Sequence, residues 1–525
     1  MATQANGAPS PEDLRLFELS QKYAAEAAKR LRPDGLSQFV RLTQSANSRF
    51  RALAEDPWAD HAALNARPLV PSGAKHKFVI LGAGYGGLLF AVRLLDSGIA
   101  KSPDEILFVD AAGGFGGTWW WNRYPGLHCD IESYTYMPLL EETGYVPSKK
   151  YVTGQELLEH AGRIAERWAV QERGLFRAEV KAARWEEESK QWTVEVSEGR
   201  GPGEDKRELR LHAQYLLIAS GILTNPHVPK IDGLEGFKGV LFHTARWDYG
   251  VTGGSPTDER LTGLEGKRVG IIGTGATAIQ VVPKLAKHAK ELYVFQRTPS
   301  AVSWRGQRPT DPERSGKFSR GGGGGWQRER MLNFDSFMTD AVEEGQVNMV
   351  ADGWTEMPAY SAVIGSPRYG IVEPTPEKIA EHVARLYKLD LPHTEAVRAR
   401  TESIVKDRET AEKLKAWYPT WIARRLRSSR LGTQPGMFVL CGMSSANAHA
   451  SATSTSRPSI SQTSISSTRT ARASTRPPRT DSWSPARSIP WTSSSSAPAT
   501  TLLPLEPAAP RRAPASTSTA ATPCP

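Results

Sequence analysis

Twice along 525 residues a short β-branched run leads straight into a glycine-spaced turn and then a helix-patterned segment, and no other feature constrains the fold as strongly. In the first unit KFVIL (77–81) runs into GAGYGG (82–87), a helical pattern over Leu88–Leu95 and a second strand, Ile106–Asp110. In the second, KRVGII (267–272) runs into GTGATA (273–278), a helix over Ala278–Ala289 and the strand ELYVFQR (291–297). Each reads β-α-β. Two such units about 190 residues apart imply an α/β chain with two Rossmann-like, doubly wound dinucleotide-binding domains.

The residues at the turns carry the chemistry. Gly82, Gly84 and Gly87 permit a tight turn, close approach of a pyrophosphate to backbone amides, and close helix–strand packing, and the helix N-terminus favours the anion. Such a turn also occurs with no ligand at all. Here Asp110 closes the second strand 23 residues after Gly87, where an acid accepts hydrogen bonds from ribose hydroxyls. The second unit repeats the turn with Gly273, Gly275 and Ala278, but its second strand ends in Arg297 and Thr298. An acid there would repel a 2′-phosphate, whereas arginine pairs with one bidentately, so NADPH is expected over NADH. The plainer alternative for Arg297 is a surface cation.

Residues 177–219 alternate apolar and polar positions, as strands completing the first domain would. Residues 11–55 carry apolar positions at helical spacing and read as a helical extension packed on the body. The glycine run at 321–325 marks a loop, and 326–425 holds several helical segments. The expected boundaries are an extension over 1–74, a first cofactor domain over 75–232, a second over 233–442 with a helical insertion at about 320–425, and a tail over 443–525. With 39% hydrophobic and 23% charged residues the bulk is ordinary globular protein. Of the net +10, +6 belongs to the tail, where eight Arg face only Asp481 and Glu506; the remaining +4 is too little to imply nucleic acid or an anionic membrane. Cys129, Cys441 and Cys524 form no CxxC, metal-ligand cluster or disulfide framework, which suits a reducing cytosol. No run approaches the roughly 18–20 apolar residues of a membrane span and no secretory signal is visible, so a cytoplasmic protein is expected.

Beyond Asp110 comes AAGGFGGTWWWNRYPGLHCDIESYTY (111–136). Taken alone, Trp119, Trp120 and Trp121 read as core or pocket wall. With Gly116, Gly117, Asn122, Arg123 and Pro125, the stretch resembles the flavin-containing monooxygenases, and more closely the Baeyer–Villiger monooxygenases. FKGVLFHTARWD (237–248) strengthens the resemblance by fitting the family pattern FxGxxxHxxxW[PD] through Phe237, Gly239, His243, Trp247 and Asp248. The resemblance implies that Asp110 binds the FAD ribose, that Gly117, Thr118 and Trp119 lie along FAD with Tyr136, and that Asp130 sits near flavin and nicotinamide. It casts His243 as a residue tying an inter-domain linker, beside the plainer role of a structural histidine.

The same resemblance implies that NADPH reduces FAD, O2 forms a C4a-peroxyflavin, and a ketone becomes an ester or lactone. A cation must stand beside that site. Arg328 and Arg330 in WQRERMLNFDSF are the candidates, with Asp130 as a third catalytic residue and solvated helix cations as the alternative. Two other functions stay open: a flavin monooxygenase oxidising N or S atoms, which FKGVLFHTARWD disfavours, and a non-catalytic binding protein. The oligomeric state is left open.

The resemblance covers roughly 75–425 and then stops. Between 451 and 500 there are 25 Ser or Thr, the composition of disorder. Read one base over with permitted codons, 454–475 can encode EYLPTFNQPNVHLVDTDGKGVD and 487–500 can encode EYPVDVLVFGTGY, which resemble family segments missing from the written frame. A frame shift between about 421 and 454 is the resulting expectation.

Overall fold

The computed structural model describes residues 10–223, 225–311 and 324–421, and the backbone of 438–442. The low-complexity tail and the displaced frame lie outside the described residues. Three sheets are built from β1 (Phe39–Arg41), β2 (Lys75–Leu81), β3 (Ile106–Val109), β4 (Gly174–Leu175), β5 (Ala178–Glu186), β6 (Gln191–Glu198), β7 (Arg207–Ile218), β8 (His227–Pro229), β9 (Val240–His243), β10 (Arg268–Ile272), β11 (Glu291–Phe295) and β12 (Phe438–Gly442).

The first sheet runs β4-β3-β2-β7-β6-β5. β2 is parallel to β3 and to β7, with Ile80 opposite Phe108 on one side and Leu217 on the other. β5, β6 and β7 form an antiparallel meander. Because strand side chains alternate, Phe78, Ile80, Ile106 and Phe108 face helices Tyr85–Asp96 and Gly154–Arg167 through Leu88, Ala91, Ala161 and Ile164. Val79, Leu107 and Val109 face the other way and pack on Val194, Val196, Leu209 and Leu211 of the meander. The unit is thus helix-covered on one face and closed by its own meander on the other. β7 does both jobs: its first half pairs with β6 and its second half with β2.

The second sheet runs β11-β10-β12-β9, with β10 parallel to β11 and β12 antiparallel to both its neighbours. Helix Ala276–His288 covers it through Ala278, Val281, Val282 and Leu285. Tyr124 and Leu127, which follow the triple tryptophan, are buried in this second core, so the two units interlock.

One region differs in detail from the sequence reading. The N-terminal extension is helical over Pro11–Ala28, Ser48–Ala52 and His61–Ala66, but Phe39–Arg41 is a strand pairing antiparallel with β8. Helix Pro11–Ala28 docks on helix Pro376–Ile404 through Asp13–Lys388 at 3.0 Å, Arg15–Glu395 at 2.5 Å and Arg398 donating to Tyr23 Oη at 3.2 Å. The insertion contains helices Trp326–Met338, Ser361–Ile364, Pro376–Ile404 and Arg408–Leu414. Among the described residues no helix is long and apolar enough to cross a membrane.

Candidate active site

In the first unit Gly82 takes φ +110°, a left-handed conformation that L side chains rarely adopt. Gly87 is held by space instead: a Cβ there would stand 2.0 Å from the Gly82 carbonyl oxygen. Gly84 caps helix Tyr85–Asp96 in an extended conformation, leaving the first amides of the helix pointing outward. The second unit repeats the arrangement, with Gly273 at φ +106°, Gly275 as the helix cap, and Ala278 buried against the strand.

Asp110 stands at the end of β3, its Oδ2 accepting from Ala83 N at 2.7 Å and its Oδ1 from Ala112 N at 2.8 Å. Burial pushes its carboxyl up, the two amides oppose this, and the nearby Asp56 charge adds to the rise. Gly117, at φ +57°, lies so close to the first turn that a Cβ on it would meet Gly84 Cα at 2.8 Å. Gly116 N donates to Ala83 O at 2.9 Å, so the two glycine loops run against each other. Thr118 opens the short helix Thr118–Trp121, and Asn122 Nδ2 donates to its carbonyl oxygen at 2.9 Å. Trp119 Nε1 donates to Tyr136 Oη at 3.1 Å and the rings meet edge to face at 5.7 Å. Burial pushes the Tyr136 phenol up, and the charge of Asp130 acts in the same direction.

The segment Tyr124–Asp130 bridges the units. His128 N donates to Gln280 Oε1 at 2.8 Å, Gln280 Nε2 donates to Tyr124 Oη at 3.3 Å, and a Cβ at Gly126 would meet Gln280 O at 2.8 Å. It ends at Asp130, which is exposed and whose carbonyl oxygen accepts from Trp354 Nε1 at 2.6 Å. Arg297, on the second unit, hydrogen-bonds Gln38 of the extension, and its own carbonyl oxygen accepts from Arg30 Nε at 2.9 Å. Burial pulls its guanidinium down, and Arg32 of the extension adds to that. Thr298 O accepts from Thr274 Oγ1 at 2.7 Å, tying the strand end to the glycine turn.

The segment 237–248 is a brace, largely buried from Leu241 onward. Arg49 of the extension donates to the carbonyl oxygens of Phe237 and, at 2.8 Å, Gly239. His243 ends β9, its Nδ1 accepting from Ala245 N at 3.0 Å; burial, then Arg246 and His227, pull its imidazole down to about 3. Trp247 is fully buried and donates from Nε1 to Thr252 Oγ1 at 3.0 Å. Arg246 lies 3.6 Å over the ring of Trp121.

The arginines part company. Arg328 points to solvent. Arg330 is buried, with Nε 2.5 Å from Glu132 Oε2, Nη2 2.8 Å from Glu132 Oε1 and Nη2 2.8 Å from Met349 O. A third arginine, absent from the sequence candidates, reaches the bridge: Arg305 Nη1 donates to Cys129 O at 3.1 Å, one residue from Asp130. It lies ten residues beyond β11, in the segment that leaves the carboxyl end of that parallel strand, and open α/β sheets bind ligands on that side. That position is the signal by which the sequence could have flagged it.

Two glycine-turn units braced together in this way define a class of proteins with paired Rossmann-like units. The flavin-binding monooxygenase-like family model matches residues 137–312. The chain is 73% identical over 424 residues to the polycyclic ketone monooxygenase of Thermothelomyces thermophilus, covering 81% of this chain and 64% of the relative. A solved structure of the polycyclic ketone monooxygenase from Thermothelomyces thermophila superposes with a TM-score of 0.76 at 74% identity, covering 78% of this chain and 64% of the other. The chermesin D/asnovolin J monooxidase nvfH of Aspergillus novofumigatus is 45% identical over 424 residues, covering 79% of this chain and 62% of the relative. The FAD-binding monooxygenase prhK of Penicillium brasilianum is 45% identical over 410 residues, covering 78% and 62%. The chain spans less than two thirds of the length of these curated relatives.

Proposed function

We propose that this protein is an FAD- and NADPH-dependent Baeyer–Villiger monooxygenase, inserting one oxygen atom of O2 beside the carbonyl of a polycyclic ketone to give an ester or lactone. The carrying observation is the bridge Tyr124–Asp130. It leaves the first glycine unit, lies on the helix of the second through Gln280, and ends beside Arg305. The 73% identity to a polycyclic ketone monooxygenase supports the substrate class.

On this reading residues 75–232 take FAD and residues 233–442 take NADPH, with the insertion at about 320–425; the two sheets fall on either side of that boundary. Gly82, Gly84 and Gly87 free the amides that receive the FAD pyrophosphate, and Asp110 stands at the ribose. Gly117, Thr118 and Trp119 line the flavin side, with Trp119 held by Tyr136. Gly273, Gly275 and Ala278 do the same for NADPH, and Arg297 with Thr298 takes the 2′-phosphate. When bound, the two cofactors supply hydride and the activated oxygen.

The chain must keep a cation beside that oxygen and hold water away. Arg305 fits better than Arg328 or Arg330, because it is part-exposed at the bridge and, among the described residues, held by one carbonyl and the Tyr151 ring, whereas Arg330 is committed to Glu132. Asp130, beside it, orients that guanidinium. Phe237, Gly239, His243 and Trp247 brace the linker between the units. Its site takes small molecules, a ketone and O2, and neither nucleic acid nor membrane; its place is the cytoplasm.

The test is the purified chain with a polycyclic ketone, a thioether, and NADPH or NADH. A flavin absorbance band, ketone-dependent NADPH oxidation and an ester product are expected, with oxidation lost in Arg305→Ala. A colourless protein, or sulfoxide as the main product, overturns the reading.

A further inference from the structure

Residues 53–60, LAEDPWAD, belong to neither glycine unit, yet they grip the loop on which the flavin reading depends. Asp56 Oδ2 accepts from Gly113 N at 2.8 Å and from Trp120 Nε1 at 2.7 Å, while Oδ1 accepts from Trp58 N at 2.9 Å. One carboxylate therefore ties the start of the Gly113–Gly117 loop to the helix that follows it. Hydrogen bonds to a carboxylate are the strong kind, and two of these three bind segments 57 and 64 residues apart in the chain, while the third fixes the local turn at Trp58.

The packing is as close as the hydrogen bonding. A Cβ on Gly113 would meet Ala59 Cβ at 2.7 Å and the Trp120 ring at 2.9 Å; one on Gly114 would meet that ring at 2.4 Å. The Trp120 ring thus packs closely against the two glycines of the loop that Asp56 binds. On the far side Arg123 is sandwiched, its guanidinium 4.7 Å from the Trp58 ring and 4.5 Å from the Trp120 ring, with Nε donating to Trp120 O at 2.9 Å. Tyr249, at the end of the 237–248 brace, donates to Arg123 O at 2.6 Å and packs its ring on Trp58 at 6.2 Å. Extension, flavin loop and linker meet in one cluster.

The consequence falls on the next residues along the loop. Gly117 touches Gly84 and Trp119 reaches Tyr136 only while Gly113 and Trp120 stay where Asp56 holds them. We propose that Asp56 and Trp58 are positioning residues for FAD: they preform the Gly113–Arg123 loop so that the flavin cradle exists before the cofactor arrives. The inference rests on the FAD reading given above. A preformed site spares the cofactor the cost of ordering the loop, and that saving appears as affinity.

The experiment uses the full chain freed of flavin, its Asp56→Ala and Trp58→Ala variants, and Trp58→Phe as the conservative replacement. FAD is titrated by flavin fluorescence, and amide hydrogen exchange is followed without cofactor. Asp56→Ala and Trp58→Ala are expected to weaken FAD binding about tenfold or more, the size of losing bonds to a charged acceptor. Exchange at residues 113–123 should quicken while β6 stays protected, and Trp58→Phe should restore most of the affinity. Saturating FAD should return kcat in each variant, which general destabilisation would not allow. Unchanged FAD affinity, or unchanged exchange at 113–123, overturns the proposal. A parent chain that takes up no FAD instead overturns the reading of the site, and the exchange arm then decides alone whether the clamp holds the loop.

Discussion

Replacing Arg330 by alanine should destabilise the protein strongly and do so through Glu132. Arg330 is 7% exposed on helix Trp326–Met338 and Glu132 is 0% exposed on the segment leading into Tyr136. The pair is bidentate, and the second bond of Nη2, to Met349 O, uses another donor of the fork. Removing one partner of such a pair leaves an uncompensated buried charge and costs roughly 3–5 kcal/mol. Lys150, 1% exposed and donating from Nζ to Val350 O at 2.6 Å, is the next cation and offsets part of this. About 3 kcal/mol is therefore expected, a fall of roughly 6–12 °C in Tm for a domain of 150–250 residues. Replacing both partners with uncharged groups of similar shape removes the desolvation cost along with the attraction, so Glu132→Gln with Arg330→Met should lie within about 1 kcal/mol of the parent. Urea denaturation of the parent, Glu132→Gln, Arg330→Met and the double variant closes the cycle, with Arg330→Ala measured beside it. Ketone-dependent NADPH oxidation is then measured on the stable double variant. A loss below about 1 kcal/mol in Arg330→Ala refutes the buried-pair argument. A double variant that is stable and flavin-loaded but inactive would show that Arg330 acts on the chemistry.

Three further outcomes are expected. His243 stays neutral in the fold down to about pH 3 but takes up a proton near pH 6.5 once unfolded, so the stability it lends is complete above pH 6.5 and drains as pH falls. The parent should lose roughly 2 kcal/mol between pH 6.5 and pH 5 from this group, and His243→Asn should show a flatter denaturation profile; equal slopes refute it. Gly87→Ala places a Cβ 2.0 Å from Gly82 O and should abolish flavin retention, whereas Gly86→Ala, whose nearest atom is Ala219 Cβ at 3.8 Å, should retain it; flavin content per chain reads the difference. Arg297→Ala should raise KM for NADPH about tenfold and leave NADH unaffected, as loss of a bidentate phosphate contact requires; parallel rises with both nucleotides would sink the assignment.

What the sequence made legible was local. Each glycine unit is specified within about 30 residues, because strand, turn and helix each bury their apolar face against the other two. β1 was not legible: three residues carry no period, and Val40 pairs with Val228, far along the chain. The meander was readable as alternation, yet nothing in the alternation says that β7 changes partners midway, since both halves carry the same pattern.

The arginines show where local reading could have gone further. Arg328 and Arg330 sit two positions apart on one helix, and at 3.6 residues per turn they point roughly 200° apart. Only one of the pair could face the body, and the one facing inward has to meet a carboxylate there or pay the full cost of a buried charge. Its partner, Glu132, lies 198 residues away. A mobile cation at a reacting centre cannot also be a permanently paired one, so burial itself argues against Arg330 for that task. The same reasoning favours Arg305, which among the described residues donates to one backbone carbonyl and lies 5.3 Å from the Tyr151 ring, with no carboxylate pairing it there.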